Sequence, residues 1–89
     1  MKAIITVIGK DSVGIIARVS AECSSYKANI LDITQKVFTD TFAMIMMVDT
    51  AEMKAEFADF AEHLEAIGKE LGLVIKVTHE DLFNSMHRI

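Results

Sequence analysis

Residues 30–49, ILDITQKVFTDTFAMIMMVD, decide how this chain folds. Ile30 to Thr39 and Thr41 to Asp49 are each rich in β-branched, aromatic and long apolar residues, with Asp40 between them as a turn former. They read as two antiparallel strands joined by a tight turn. Upstream, Ile4-Ile5-Thr6-Val7-Ile8 is β-branched throughout and stops at Gly9, the signature of a buried strand. The run Val13 to Tyr26 follows, with Ile16, Val19, Cys23 and Tyr26 at three- and four-residue spacing on one helical face. Asp11 and Ser12 are both suited to cap it, and Asn29 can close the helix or the turn beyond it.

Downstream of the hairpin, Met53, Phe57, Phe60, Leu64, Ile67 and Leu71 alternate steps of four and three. That is a core stripe, with Lys54, Glu56, Asp59, Glu62, Glu65 and Lys69 on other faces. Asp49 or Thr50 can cap this second helix, and Gly72 ends it. Leu73 to Thr78 supplies a last strand, and Glu80 to Ile89 carries Leu82, Phe83, Met86 and Ile89 on one helical side. The order is the split β-α-β-β-α-β pattern. The chain is therefore expected to be α+β: a ferredoxin-like sandwich with a four-stranded antiparallel sheet. Two helices pack on one face, a short C-terminal helix follows, and residues 1–89 form one domain.

Such a sheet leaves its second face open, and an open face is normally polar. Here it is not. Phe42, Met44, Met46 and Val48 point one way on the third strand, while Ala43, Ile45 and Met47 point the other; Ile5 and Val7 stand opposite Ile4 and Ile8. Either the C-terminal helix or the same face of a second subunit must cover the surplus. Composition agrees, because 52% of the residues are hydrophobic and mean hydropathy is +0.35 in only 89 residues. So small a chain has little interior, and a homodimer or a higher oligomer is expected.

Other bulk properties exclude function classes. Nine Lys and Arg stand against thirteen Asp and Glu, giving a net charge of −4, the wrong balance for a nucleic-acid partner. The first and third strands also lack the stacking aromatics of an RNA-binding sheet, offering only Phe42. The longest apolar run, Ala43 to Val48, is far short of a membrane span, and the first residues show no signal-peptide pattern. A cytoplasmic protein without a membrane partner is expected. Cys23 is the one cysteine, so no intramolecular disulfide forms, and its place on the buried helical face reads as a core thiol.

The turn Gly9-Lys10-Asp11-Ser12-Val13-Gly14 is where chemistry can sit. It leaves a strand and opens a helix whose first amides lack internal partners, an arrangement that attracts carboxylate or phosphate. Gly14 costs about 1 kcal/mol against Ala inside a helix. Close approach of a ligand explains its presence, and so does a capped helix that needs tight packing. The pattern is neither a Walker loop nor a dinucleotide-binding fingerprint.

This turn and the later Asn29-Ile30-Leu31-Asp32-Ile33 together resemble the ACT domain, a regulatory module of amino-acid metabolism found fused to enzymes and free-standing. The resemblance spans essentially the whole chain. The closing stretch His79 to Ile89 is similar to the tail of a subgroup of small single-ACT bacterial and archaeal proteins. The resemblance implies a small amino-acid ligand bound at an interface between domains. The implied contacts are Lys10, Asp11, Ser12, Val13 and Gly14 from the first strand-to-helix loop, with Asn29 and Ile30 from the second strand. A regulated enzyme or regulator protein is the implied partner. Lys27-Ala28 stands where the family often has a glycine before Asn29, which implies a turn of different shape.

Other constellations carry less. His79, Glu80 and Asp81 are adjacent and point apart, and His79 and His87 are too far apart for a helical metal pair. No metal site or cofactor is expected. Ser12 has no neighbouring base, and His63 sits among solvent-facing helix residues. No nucleophile–base pair emerges, so the chain reads as no enzyme. Two functions stay open: a regulatory module that binds an amino acid, or an interaction scaffold with no small ligand.

Overall fold

The structure is a computed structural model and describes residues 1–86. The side chain of Met86 and the expected apolar position Ile89 lie outside the described residues. Chain order is β1 (Lys2–Lys10), α1 (Ile15–Ser25), β2 (Asn29–Phe38), β3 (Thr41–Asp49), α2 (Phe57–Leu71), β4 (Leu73–His79) and α3 (Glu80–Met86). The sheet has four antiparallel strands in the order β2-β3-β1-β4. The ferredoxin-like βαββαβ expectation holds, including the short third helix.

Strand pleating selects the core. Ala3, Ile5 and Val7 of β1 pair in register with Val48, Met46 and Met44 of β3, and with His79, Val77 and Ile75 of β4. Register partners share a face. Apart from His79, these residues are buried together with Ile15, Val19 and Cys23 of α1 and Phe60, Leu64 and Ile67 of α2. Each fully buried Phe or Leu contributes about 1.5–3 kcal/mol. Outside this core, α1 and α2 are bridged by His63 Nε2 and Glu22 Oε2 at 2.6 Å and by Arg18 with Glu70 at 3.2 Å. His63 is thus an inter-helix partner rather than a merely solvated residue.

The helix ends depart from expectation. Neither Asp11 nor Ser12 caps α1; the N-cap is Gly14, with φ of 91° and no side-chain cap hydrogen bond. The helix starts two residues later than Val13; its buried row is Ile15, Val19 and Cys23, four residues apart, and Ile16 is 38% exposed. Tyr26 packs its ring 5.3 Å from that of Phe60. Neither Asp49 nor Thr50 caps α2, which starts beyond Glu56. Asp49 Oδ1 instead accepts from the Ala51 amide at 2.9 Å, and Thr50 Oγ1 donates to the Met1 carbonyl at 3.0 Å. Local side-chain-to-backbone bonds of this kind compete with helix entry. Gly72 ends α2 in the left-handed region, at φ of 73°.

The α1–β2 turn puts Lys27, not Asn29, in the left-handed region, at φ of 60°. The β2–β3 turn puts Thr39 there too, at φ of 57°. Both residues pay steric strain that glycine would avoid, and they bracket the two ends of β2.

The second sheet face is covered only in part. Its row of Ile4, Met47 and Thr78 lies at the end where α3 packs against β1 and β4, and Ile4 is 3% exposed. Within α3, Phe83 is half-buried and Leu82 is 52% exposed. A seven-residue helix presents too narrow a face to bury every apolar side chain it carries.

Close approach of α2 to β4 depends on Gly68. A Cβ there would stand 2.9 Å from Ile75 Cγ1 and 3.0 Å from the Leu73 carbonyl oxygen. Gly68→Ala gains about 1 kcal/mol in helix propensity, but the strain of forcing α2 off the sheet, about 1–3 kcal/mol, outweighs it. Urea denaturation should show a net loss of stability; an unchanged or raised midpoint contradicts this packing.

Candidate functional site

Antiparallel topology separates the expected site residues into two groups. Lys10 ends β1, pairs with Thr41 of β3, and leads into the exposed loop Asp11–Gly14. The Asp11 amide donates to the Asp40 carbonyl at 2.7 Å, which pins this loop beside the β2–β3 turn. Asn29 and Ile30 begin β2, where Asn29 pairs with Asp49, whose other partner is Lys2. The run from Lys2 to Lys10 along β1 spans about 27 Å at 3.4 Å per residue. Within one chain the loop and Asn29 therefore stand at opposite ends of the sheet.

The loop is open to solvent: Val13 is 104% exposed, and a Cβ on Gly14 would meet nothing within 4 Å. Gly14 is needed for its positive φ, not for a close neighbour within the chain. The amides free at the start of α1 accordingly belong to Gly14 and the first helical residues, and Ser12 and Val13 precede them. Because α1 has no side-chain cap, the Asp11 carboxylate is not used for capping.

At the other end a cleft of about 450 Å³ gathers Asn29 and Ile30 with Ser20, Ser24, Lys27, Ala28 and Glu52. Ser20 and Ser24 stand one turn apart on α1, beside the buried Val19 and Cys23. That polar i, i+4 pair is legible in the sequence. Lys27 and Glu52 had no such signal, because their approach depends on the strained turn and on the loop before α2.

Nothing in the described residues gathers three His, Cys, Asp or Glu side chains closely enough to hold a metal ion. No described helix is long and apolar enough to cross a membrane. Cys23 is fully buried, its Sγ 4.0 Å from Met46 Sδ. Burial, and then the nearby Glu22 carboxylate, pushes its thiol up to about 11.

The family model of the ACT domain matches residues 2–78. The chain belongs to the ACT domain family. ACT domains are regulatory modules, commonly dimeric and often amino-acid-binding, that occur in regulated enzymes. This ACT domain is 49% identical over 89 residues to a UPF0237 protein of Clostridium acetobutylicum, covering 100% of both chains. It is 46% identical over 88 residues to a UPF0237 protein of Methanocaldococcus jannaschii, covering 99% of this chain and 98% of the relative. An ACT domain protein from Streptococcus pneumoniae superposes with a TM-score of 0.81 at 38% identity, over 93% of each chain. The regulatory subunit of aspartate kinase from Thermus thermophilus shares the fold. Its TM-score is 0.66 at 24% identity, over 85% of this chain and 49% of that one.

The raised Cys23 thiol has a consequence for stability. The folded chain holds this proton to about 11, whereas the unfolded chain releases it near 9.0. The unfolded state thus binds fewer protons across that window, and stability falls as pH rises through it, by up to about 3 kcal/mol. Denaturation midpoints measured from pH 8 to 11 should decline in wild type, and Cys23→Ala should lose that component of the decline. An identical alkaline decline in both proteins contradicts the assignment.

Proposed function

We propose that this ACT domain is a regulatory module that binds a free amino acid at a site shared between two copies of the chain. The observation that carries the reading is the separation of Lys10–Gly14 from Asn29 and Ile30 by the length of β1. One chain cannot close both groups on a small molecule. A two-fold axis beside β2 reverses one copy against the other, so that the loop of one meets the Asn29 cleft of the next. β2 suits that pairing: it is a ten-residue edge strand, exposed at every residue but Ile30.

The chemistry of the two groups fits the two ends of an amino acid. Amides at the start of α1 receive the α-carboxylate, and the uncapped Asp11 carboxylate receives the α-ammonium. Asn29 hydrogen-bonds from across the interface, with Ile30 and Val13 as apolar wall and Lys10 at the rim. Charge-assisted hydrogen bonds of this kind contribute about 1.5–3 kcal/mol each, enough for micromolar to millimolar affinity. Binding joins the copies, and the joined form presents a different surface to a regulated enzyme or regulator protein. A cytoplasmic setting, where free amino acids are sensed and a lone thiol stays reduced, belongs to the same proposal.

A scaffold without a ligand is the competing reading, favoured by the apolar half-face of the sheet. A thermal-shift screen of the standard amino acids separates the two. At least one amino acid should raise the melting temperature. Calorimetry with that amino acid should show affinity reduced about 10-fold or more by Asp11→Asn and by Asn29→Ala. No shift with any amino acid favours the scaffold, and undiminished affinity in both variants puts the site elsewhere.

A further inference from the structure

The half of the open sheet face that α3 leaves bare has its own pattern. Thr6 pairs with Ile45 and Ile8 with Ala43, so large and small residues alternate both along β1 and β3 and across them. Ile8 is 47% exposed, Ile45 44% and Val74 62%. Between Ile8 and Ile45, on the β2 side of β1, lies a shallow, almost wholly apolar hollow of about 250 Å³, bordered by Thr6, Ile8, Thr34, Lys36, Ala43 and Ile45.

We propose that this half-face is an interface between two copies of the chain, packed sheet to sheet, and distinct from the β2 edge. Three features select a second copy as occupant. First, the checkerboard is self-complementary. A two-fold axis running across the strands, between the Thr6–Ile45 row and the Ile8–Ala43 row, sets each Ile8 over the other copy's Thr6. It likewise sets each Ile45 over the other copy's Ala43, so both isoleucines meet small residues, while Val74 lies over the apolar stem of the other copy's Lys76.

Second, α3 fixes the offset. A helix is about 10 Å across, as wide as the gap between packed sheets, so α3 leaves no room for full overlap. This axis sets each α3 beyond the Leu73 end of the other copy's β4 and against Lys10, the last residue of its β1, where it acts as a stop. Third, charge agrees. Asp32 pairs with Met47 in the α3 half of the face, while Lys36 pairs with Ala43 in the bare half and holds its Nζ 4.9 Å from the Phe38 ring. The same axis sets Asp32 over the other copy's Phe38, within reach of that Lys36 ammonium.

The proposal does not rest on the amino-acid site, and its test is read separately. Sedimentation velocity at micromolar concentration should give Ile8→Lys and Ile45→Lys half the mass of wild type, with circular dichroism and melting temperature preserved, since both side chains are already exposed. Asp32→Lys and Lys36→Glu should each weaken association about 10-fold, and the double charge swap should restore it, an effect a merely structural role does not produce. A wild-type mass of 9.9 kDa, or unchanged masses in Ile8→Lys and Ile45→Lys, overturns the proposal. So does a double swap no better than the single changes. An apolar small molecule or an unrelated chain as the true occupant produces one of those results.

Discussion

Central pairing of β3 is the constraint on which the rest of the structure depends. β3 is bonded to β1 on one side and β2 on the other, and it sends Phe42, Met44, Met46 and Val48 into the core beneath both helices. With β1 and β3 central, β2 and β4 are left as edges, and α2 covers β4 far more fully than α1 covers β2. An edge strand exposed along nearly its whole length is an invitation to pair. The bulge between Ile30 and Asp32 and the charge of Lys36 restrain that invitation without removing it. The same antiparallel order carries the β1–α1 loop to one end of the sheet and Asn29 to the other. The fold and the separation of the loop from Asn29 thus have a single cause.

Backbone strain follows that division. Gly14, Lys27 and Thr39 all have positive φ, and all three sit at the ends of the sheet rather than along it. Lys27 adjoins the cleft that holds Asn29, and Thr39 adjoins Asp40, which receives the Asp11 amide. Non-glycine residues persist in this region only where their surroundings hold them. The long strands supply that rigidity, so loops bearing polar groups are held in fixed positions on a stiff frame. Cys23, by contrast, is spent on the core: fully buried and holding its proton more tightly than an open thiol, it is poorly suited to nucleophilic work.

The periodicity of the sequence determined the fold almost completely. The apolar run in residues 41–49 and the stripe from Phe60 to Ile67 depend on burial over many residues, and such patterns survive small errors of register. The helix starts were less legible. Asp11, Ser12, Asp49 and Thr50 are all good capping residues, yet capping depends on backbone path, and a left-handed Gly14 and the long turn before Glu56 set that path here. The two greasy faces were readable from Ile4, Ile8, Ala43 and Ile45. How little of that surface α3 covers was not, because it depends on the helix's length and placement. For the site, the sequence supplied residue types at both ends of the sheet but not their distance, which only strand order reveals.

The central claim is that a ligand site needs the loop of one copy and Asn29 of another, and mixing two defective variants tests it most directly. Asp11→Ala and Asn29→Ala proteins, each binding the amino acid at least about 10-fold more weakly than wild type, are unfolded together, refolded as a mixture and titrated with it. Mixed pairs then contain one site with both groups intact and one with neither. The account predicts that binding returns at about a quarter of the wild-type stoichiometry and at wild-type affinity, the statistical yield of random pairing. No recovery of binding in the mixture contradicts it and confines the site to a single chain.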